Sequence, residues 1–181
     1  ILATKTIGKA VALKVQSPDI PHKSQAGGGV LNIDSHTDVG QQFKSMQSSI
    51  SQNFPKAIID GFLIQEMSEP GLEIILGINN REGFGPILMV GFGGIHVEKT
   101  RDVAFAPVPL GEDDCNQLLK KLKGSVLLDA DKYDVPALID LMTSLSNFAE
   151  STSDYIGEID LNPVLVHSKG QGVTVIDALM L

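Results

Sequence analysis

The sequence predicts an α+β fold with mixed or antiparallel sheets. Three observations carry this. The elements run β, β, α, then several strands, then two helices and two strands, with no βαβ alternation. Short apolar runs are separated by Gly- and Pro-rich turns. The 181 residues suit one domain or two small subdomains. Such a length buries roughly 70 % of the extended chain's surface, so no covalent staple is required.

Val11–Val15 is an apolar run broken by Lys14, a strand by pattern. Residues 17–29 contain two prolines and three consecutive glycines and form a loop. Val30–Ile33 returns as a strand, making a hairpin-like pair. Val39, Phe43, Met46, Ile50 and Phe54 then recur at helical spacing. Ser35 or Thr37 suits the cap, Asp38 suits the positive end of the dipole, and Pro55 stops the helix. Ile58–Met67, Leu72–Ile78, Pro86–Phe92, Ile95–Glu98 and Val103–Val108 read as strands. Asp113–Leu122 reads as a helix. Asp134 caps another, with Pro136 tolerated in its first turn. Ile156–Val166 and Val173–Leu179 close the chain as two strands. Glu69-Pro70-Gly71 interrupts the strands, so subdomains are expected over 1–67 and 68–181.

The net charge of −8 argues against a nucleic-acid partner. Residues 1–30 hold four lysines against Asp19, a local +3, leaving −11 on the rest. A basic start on an acidic body points to a local anionic ligand. No 18-residue apolar run exists to span a membrane. A single cysteine, Cys115, excludes an internal disulfide and fits a reducing cytoplasm. Acidic neighbours should raise its pKa and keep it unreactive. The chain begins at Ile1 with no signal peptide and reads as a piece of a longer chain.

Asp160-Leu161-Asn162 puts two oxygen-bearing side chains on one face of a strand, because the side-chain period is two. A hairpin would bring Asp177 beside them. Such oxygens suit Mg²⁺, which takes one or two carboxylates plus substrate phosphates. The same spacing suits a solvated strand, and the residues alone leave both open. Lys14 in an apolar strand needs a partner or a route to water. With Gly27, Gly28 and Gly29 it has the chemistry of a phosphate-covering lid, or of an edge lysine beside a flexible loop. Walker A spacing is absent. His22 carries a nucleophilic imidazole, although a lone loop histidine is commonly a surface residue. His36 and His167 read as element-end residues. Gly93-Gly94 would allow close approach of a ligand, and Glu73 and Glu98 would reach a metal or ribose.

Four ordered blocks cover nearly the whole chain: VALKVQSPDIPHKSQAGGGV; FLIQEM with GLEIILGI; FGPILMVGFGGIHVEKTRDVAFAPVPL; and EIDLNPVLV with VIDAL. Together they resemble the ATP-grasp domain of ADP-forming acyl-CoA synthetases, relatives of succinyl-CoA synthetase β subunits. The resemblance implies two α+β subdomains with nucleotide bound between them. It implies that Lys14 contacts the phosphates and that Gly27, Gly28 and Gly29 cover them. Gln65, Glu66 and Met67 would be the hinge meeting adenine, largely through backbone groups; Glu73 stays a cofactor-binding candidate on its own reading. Asp160, Asn162 and Asp177 would hold Mg²⁺ on ATP or ADP. His22 matches a histidine implicated in phosphoryl relay. Ala106 stands where many members carry arginine, leaving that contact absent or supplied by Arg101.

The implied function is the nucleotide half of an ADP-forming acid–thiol ligase, inactive alone. Its partner would be a CoA-binding portion, in cis or as a separate subunit, with oligomerisation left open. A synthetase-like regulatory region of a protein lysine acetyltransferase and a non-catalytic α+β interaction domain are the alternatives.

Overall fold

The computed structural model describes residues 7–20, 26–34, 36–81, 83–94 and 102–181. The strand expected over Ile95–Glu98 lies outside them, as do Ser35, His22, His96 and Arg101. The chain divides into two compact units, Ile1–Ser68 and Glu69–Leu181.

In the first unit, β1 (Val11–Gln16) is the middle strand of three. It pairs antiparallel with β2 (Gly29–Ile33) and β3 (Gly61–Glu66). Alternation sends Val11, Leu13 and Val15 to one face, where they are fully buried. Helix α1 (His36–Asn53) lays Val39, Met46 and Ile50 against them. Phe43 of the same stripe meets Phe62 of β3 edge-on, ring centroids 4.8 Å apart. Helix α1 begins at His36, as its reading as a helix-start residue expects. The strand predicted over Ile58–Met67 is shorter, beginning at Gly61, whose φ of 159° is extended backbone. Upstream of it the Ile58 amide is held by Asp19 Oδ2 at 2.7 Å, outside the ladder.

The second unit is an antiparallel sheet backed by helices. Its strands are β4 (Leu72–Arg81), β5 (Gly85–Phe92), β6 (Val103–Pro107), β7 (Glu158–Val166), β8 (Val173–Val175) and β9 (Ala178–Met180). The order is β6-β5-β4-β7-β8, with β9 also on β7. Ile74, Leu76, Ile78, Leu88 and Val90 point to the core face. There they meet Leu118 of α2 (Glu112–Lys120) and Leu138 and Met142 of α3 (Val135–Ser151). Ser146 of α3 is fully buried and accepts the Leu110 amide at 2.7 Å. No helix among the described residues is long and apolar enough to cross a membrane.

Two local features differ from the sequence expectation. The closing strand over Val173–Leu179 is two strands, parted at Ile176-Asp177. Strand β7 is not evenly alternating. Ile74 faces Val164 and Leu76 faces Leu161, so Ile75 alone opposes Asn162 and Pro163. This β-bulge lets Leu161 and Val164, three apart, both turn inward.

Candidate functional site

In the first unit, the face of β1 opposite α1 carries Ala12, Lys14 and Gln16. Lys14 is half-buried, flanked across the ladder by Gly29 and Leu63. Glycine opposite the lysine leaves its stem room on that side. Gly28 is buried and its carbonyl accepts the Val15 amide at 2.8 Å. Gly27 is exposed with φ +68°, a left-handed conformation that glycine adopts without steric cost. No neighbour lies within 4 Å of where a Cβ would stand at Gly27 or Gly29. Gly27 and Gly29 therefore leave open space beside the backbone that leads into β2, next to Lys14.

Gln65 pairs with Ala12 and so shares the Lys14 face. Glu66 pairs with Val11 and is met by Lys9 at 2.8 Å. Both partners are more than half exposed, so this ion pair contributes little stability. The Met67 amide donates to the Ala10 carbonyl at 3.0 Å. It is therefore engaged within the sheet. Alternation then turns the backbone N–H and C=O of Glu66 toward the outer edge of β3, an edge strand. Of the expected hinge residues, Glu66 has the outward main-chain groups. His22 lies outside the described residues.

In the second unit, the sheet face turned from the helices carries Glu73, Ile75, Gly77 and Asn79 of β4. Gly77 faces Asp160, and Glu73 faces Leu165. Asp160 is half-buried between Ile159 and Leu161, which point to the core. The Asn162 amide donates to the Asp177 carbonyl at 3.1 Å. Asp177, half-buried, sits in the break between β8 and β9, its Oδ1 accepting the Ala178 amide at 3.2 Å. The structure thus brings Asn162 and Asp177 together, with Asp160 two residues away along β7. Among the described residues no group of three or more His, Cys, Asp or Glu is gathered for a metal. Two carboxylates and an amide suit Mg²⁺, which keeps waters and phosphate oxygens in its shell. Beside Asp160, a cavity of about 540 Å³ is lined chiefly by apolar groups, Gly77, Ile87, Met89, Phe84 and Phe105 among them.

Gly93-Gly94 approaches a side chain rather than leaving open space for a ligand. The Gly93 amide donates to the Glu73 carbonyl at 2.7 Å. A Cβ on Gly93 would stand 2.8 Å from Glu73 Cβ, and one on Gly94 2.8 Å from Glu73 Oε2. The glycines form the seat of the Glu73 side chain. Ala106, where the resembled family often has arginine, carries only a methyl group. It packs on the core side of β6 with Ala104, while Phe105 takes the opposite face.

Cys115 is buried, and burial pushes its thiol pKa up; Asp114 adds to the rise, while a hydrogen bond with Thr143 opposes it. The acidic neighbours expected to dominate are secondary. Sequence reasoning missed the buried carboxylate of Asp102, which accepts the Lys123 and Gly124 amides at 2.8 and 2.7 Å. It also left His167 without partners. Nothing in a one-dimensional pattern pairs residues this far apart.

A profile of the ATP-grasp domain family matches residues 1–181. The chain is 37 % identical over 176 residues to the β subunit of acetate–CoA ligase [ADP-forming] II of Pyrococcus furiosus, covering 95 % of this chain and 75 % of that subunit. It is 36 % identical over 180 residues to 4-hydroxybutyrate–CoA ligase [ADP-forming] of Nitrosopumilus maritimus, spanning 98 % of this chain but only 26 % of that ligase. Among solved structures it resembles dinucleotide-forming acetyl-coenzyme A synthetase 1 of Ca. Korarchaeum cryptofilum, in complex with coenzyme A and Ca-AMPCP. That match has a TM-score of 0.90 at 34 % identity, over 99 % of this chain and 79 % of that one. A second structure of that synthetase, with Mg-AMPPCP and its phosphohistidine segment pointing towards the nucleotide site, matches with a TM-score of 0.77 at 32 % identity, over 99 % and 79 % of the two chains. By its match along the full length and by its likeness to the Pyrococcus subunit, the chain belongs to the ATP-grasp domains of the ADP-forming acetate–CoA ligase β-subunit family.

Proposed function

We propose that this chain is the nucleotide-binding portion of an ADP-forming acyl-CoA synthetase, acting in phosphoryl transfer between ATP or ADP and a histidine. The observation that carries the metal half is the 3.1 Å hydrogen bond from the Asn162 amide to the Asp177 carbonyl. This main-chain bond sets the two oxygen-bearing residues side by side across the closing strands, next to Asp160. These three would hold Mg²⁺, which supplies neutralisation of phosphate charge when bound.

The chain's own groups have separate tasks. The Lys14 ammonium offsets phosphate charge, and the amides of Gly27, Gly28 and Gly29 donate to phosphate oxygens. The outward main chain of Glu66 meets the adenine edge, with Gln65 and Met67 shaping the hinge around it. Glu73, seated on Gly93-Gly94, accepts hydrogen bonds from ribose. His22 is the phosphoryl carrier. Its imidazole nitrogen attacks the terminal phosphorus of ATP, the bond to ADP breaks, and ADP leaves with the electron pair. The reverse step makes ATP.

The relatives are ligases and synthetases, which favours this reading over a regulatory region of a lysine acetyltransferase or a non-catalytic interaction domain. The Pyrococcus relative is a β subunit, whereas the Nitrosopumilus ligase is about four times as long as the matched segment. Both arrangements are consistent with a CoA-binding partner portion, as a subunit or in the same polypeptide. Calorimetry with ADP and Mg²⁺ tests the nucleotide reading, and absence of binding overturns it. For His22, the parent enzyme incubated with labelled ATP should carry an acid-labile label that His22→Ala abolishes. A label unchanged in that variant removes His22 from the mechanism.

A further inference from the structure

His167 is a buried titratable residue that the proposed chemistry does not use. It lies just past the end of β7 and is 7 % exposed. Its ring reaches two separate segments. Nε2 is 2.8 Å from Thr174 Oγ1 on β8, and Nδ1 is 3.4 Å from the Pro70 carbonyl oxygen. A carbonyl only accepts, so Nδ1 carries the proton, and in the neutral ring Nε2 accepts from the Thr174 hydroxyl. The backbone of His167 is held equally firmly. Its carbonyl accepts the Asp134 amide at 2.9 Å and its amide donates to Gly172 at 3.1 Å. Asp134 in turn binds the Gly172 amide at 2.7 Å and caps α3 through Ala137 at 3.3 Å. The imidazole is thus fixed by its surroundings before it meets Pro70.

Pro70 lies two residues after Ser68, where the first unit ends. Gly71 presses on the end of β7, since a Cβ there would stand 2.8 Å from the Val166 carbonyl oxygen. On the other side, Met67 is held by Ala10. Ser68 and Glu69 therefore span the interval between two backbone anchorages.

We propose that His167 is a positioning residue, pinning the connecting segment at Pro70 to the β7–β8 hairpin. The same pin braces the β7–β8 hairpin, the element from which Asn162 and Asp177 are held. The consequence for nucleotide rests on the function proposed above; the pinning itself does not. The Nδ1 bond carries the effect and the Nε2 bond only orients the ring.

Asparagine and glutamine separate these roles. Asn places a donor where Nδ1 stands, and Gln places its amide where Nε2 stands. The test uses the 181-residue chain as wild type, His167→Ala, His167→Asn and His167→Gln. Hydrogen exchange at the Glu69 and Gly71 amides should quicken in the Ala and Gln variants and stay near wild type in the Asn variant. Affinity for ADP with Mg²⁺ should fall roughly tenfold in Ala and Gln, a loss of about 1.4 kcal/mol, and be retained in Asn. A purely structural role would instead make affinity follow thermal stability across all three. That result, or exchange at Glu69 and Gly71 unchanged in His167→Ala, overturns the proposal. If wild type binds no ADP while the exchange order holds, the pinning stands and the nucleotide reading falls.

Discussion

The carboxylate of Glu73 rests on the backbone of Gly94, close enough that a Cβ there would stand 2.8 Å from Oε2. Gly94 has φ +68°, where an L side chain is itself strained. Gly93, one residue earlier, is blocked by the Glu73 backbone as well as by its Cβ. A flexible carboxylate can move aside, but a strand backbone cannot. Gly94→Ala should therefore cost about 1 kcal/mol, mainly from φ. Gly93→Ala should cost more, about 1–3 kcal/mol from overpacking. Urea unfolding of both variants checks the order. Equal stability of Gly93→Ala and wild type contradicts the seat described for Glu73.

Asp134 offers a second separable pair of bonds. Oδ1 caps α3 at Ala137, and Oδ2 accepts from Gly172 across the sheet edge. Asp134→Ala removes both and should lower stability by about 2 kcal/mol. Asp134→Asn can keep the cap but turns an NH₂ toward the Gly172 amide, so roughly half that loss is expected. Denaturant midpoints compared at equal m values measure it.

Replacing the Asp177 side chain tests the metal assignment without breaking the fold, because its bond to Asn162 uses the main-chain carbonyl. Asp177→Ala should weaken ADP binding in Mg²⁺ by roughly tenfold to a hundredfold. Binding measured in EDTA should be unaltered. An equal loss in both conditions would show that Asp177 serves the nucleotide site in some way other than through Mg²⁺.

Burial raises the Cys115 thiol pKa, so the folded state favours the neutral thiol. As pH rises past the ordinary thiol value, the unfolded chain loses its proton first. Stability must then fall with rising pH, and it stops falling once the folded thiol also ionises. Cys115→Ser should flatten that alkaline decline in Tm. Alkylation of native protein near neutral pH should be slow and become fast on unfolding.

Much of this architecture is legible in the residue order. The stripe Val39, Phe43, Met46 and Ile50 declares α1 because one face must be apolar, and its core partners Leu13 and Val15 show strand alternation just as plainly. Asp160 and Asn162 are likewise suggested as neighbours by a period of two. Beyond that, local pattern fails for a physical reason. The bulge at Asn162-Pro163 depends on what Ile75 does in another strand. The break at Ile176-Asp177 is made by bonds from Asn162 to Asp177 and from Ile176 to the Pro163 carbonyl. Gly93-Gly94 reads as room for a ligand until Glu73, some twenty residues earlier, is brought against it. His167 bonds to Pro70 across 97 positions, a distance that no periodicity encodes.

The bulge in β7 also acts on folding specificity. Ile159 and Leu161 on one side, and Val164 and Val166 on the other, are buried in opposite phase along the chain. A one-residue slip against β4 would bury Asp160 on one side and turn Val164 out on the other. No unbulged pairing with β4 can satisfy both halves. The extra residue that brings Asn162 to Asp177 therefore works as a phase corrector, letting both ends of one strand serve the same core.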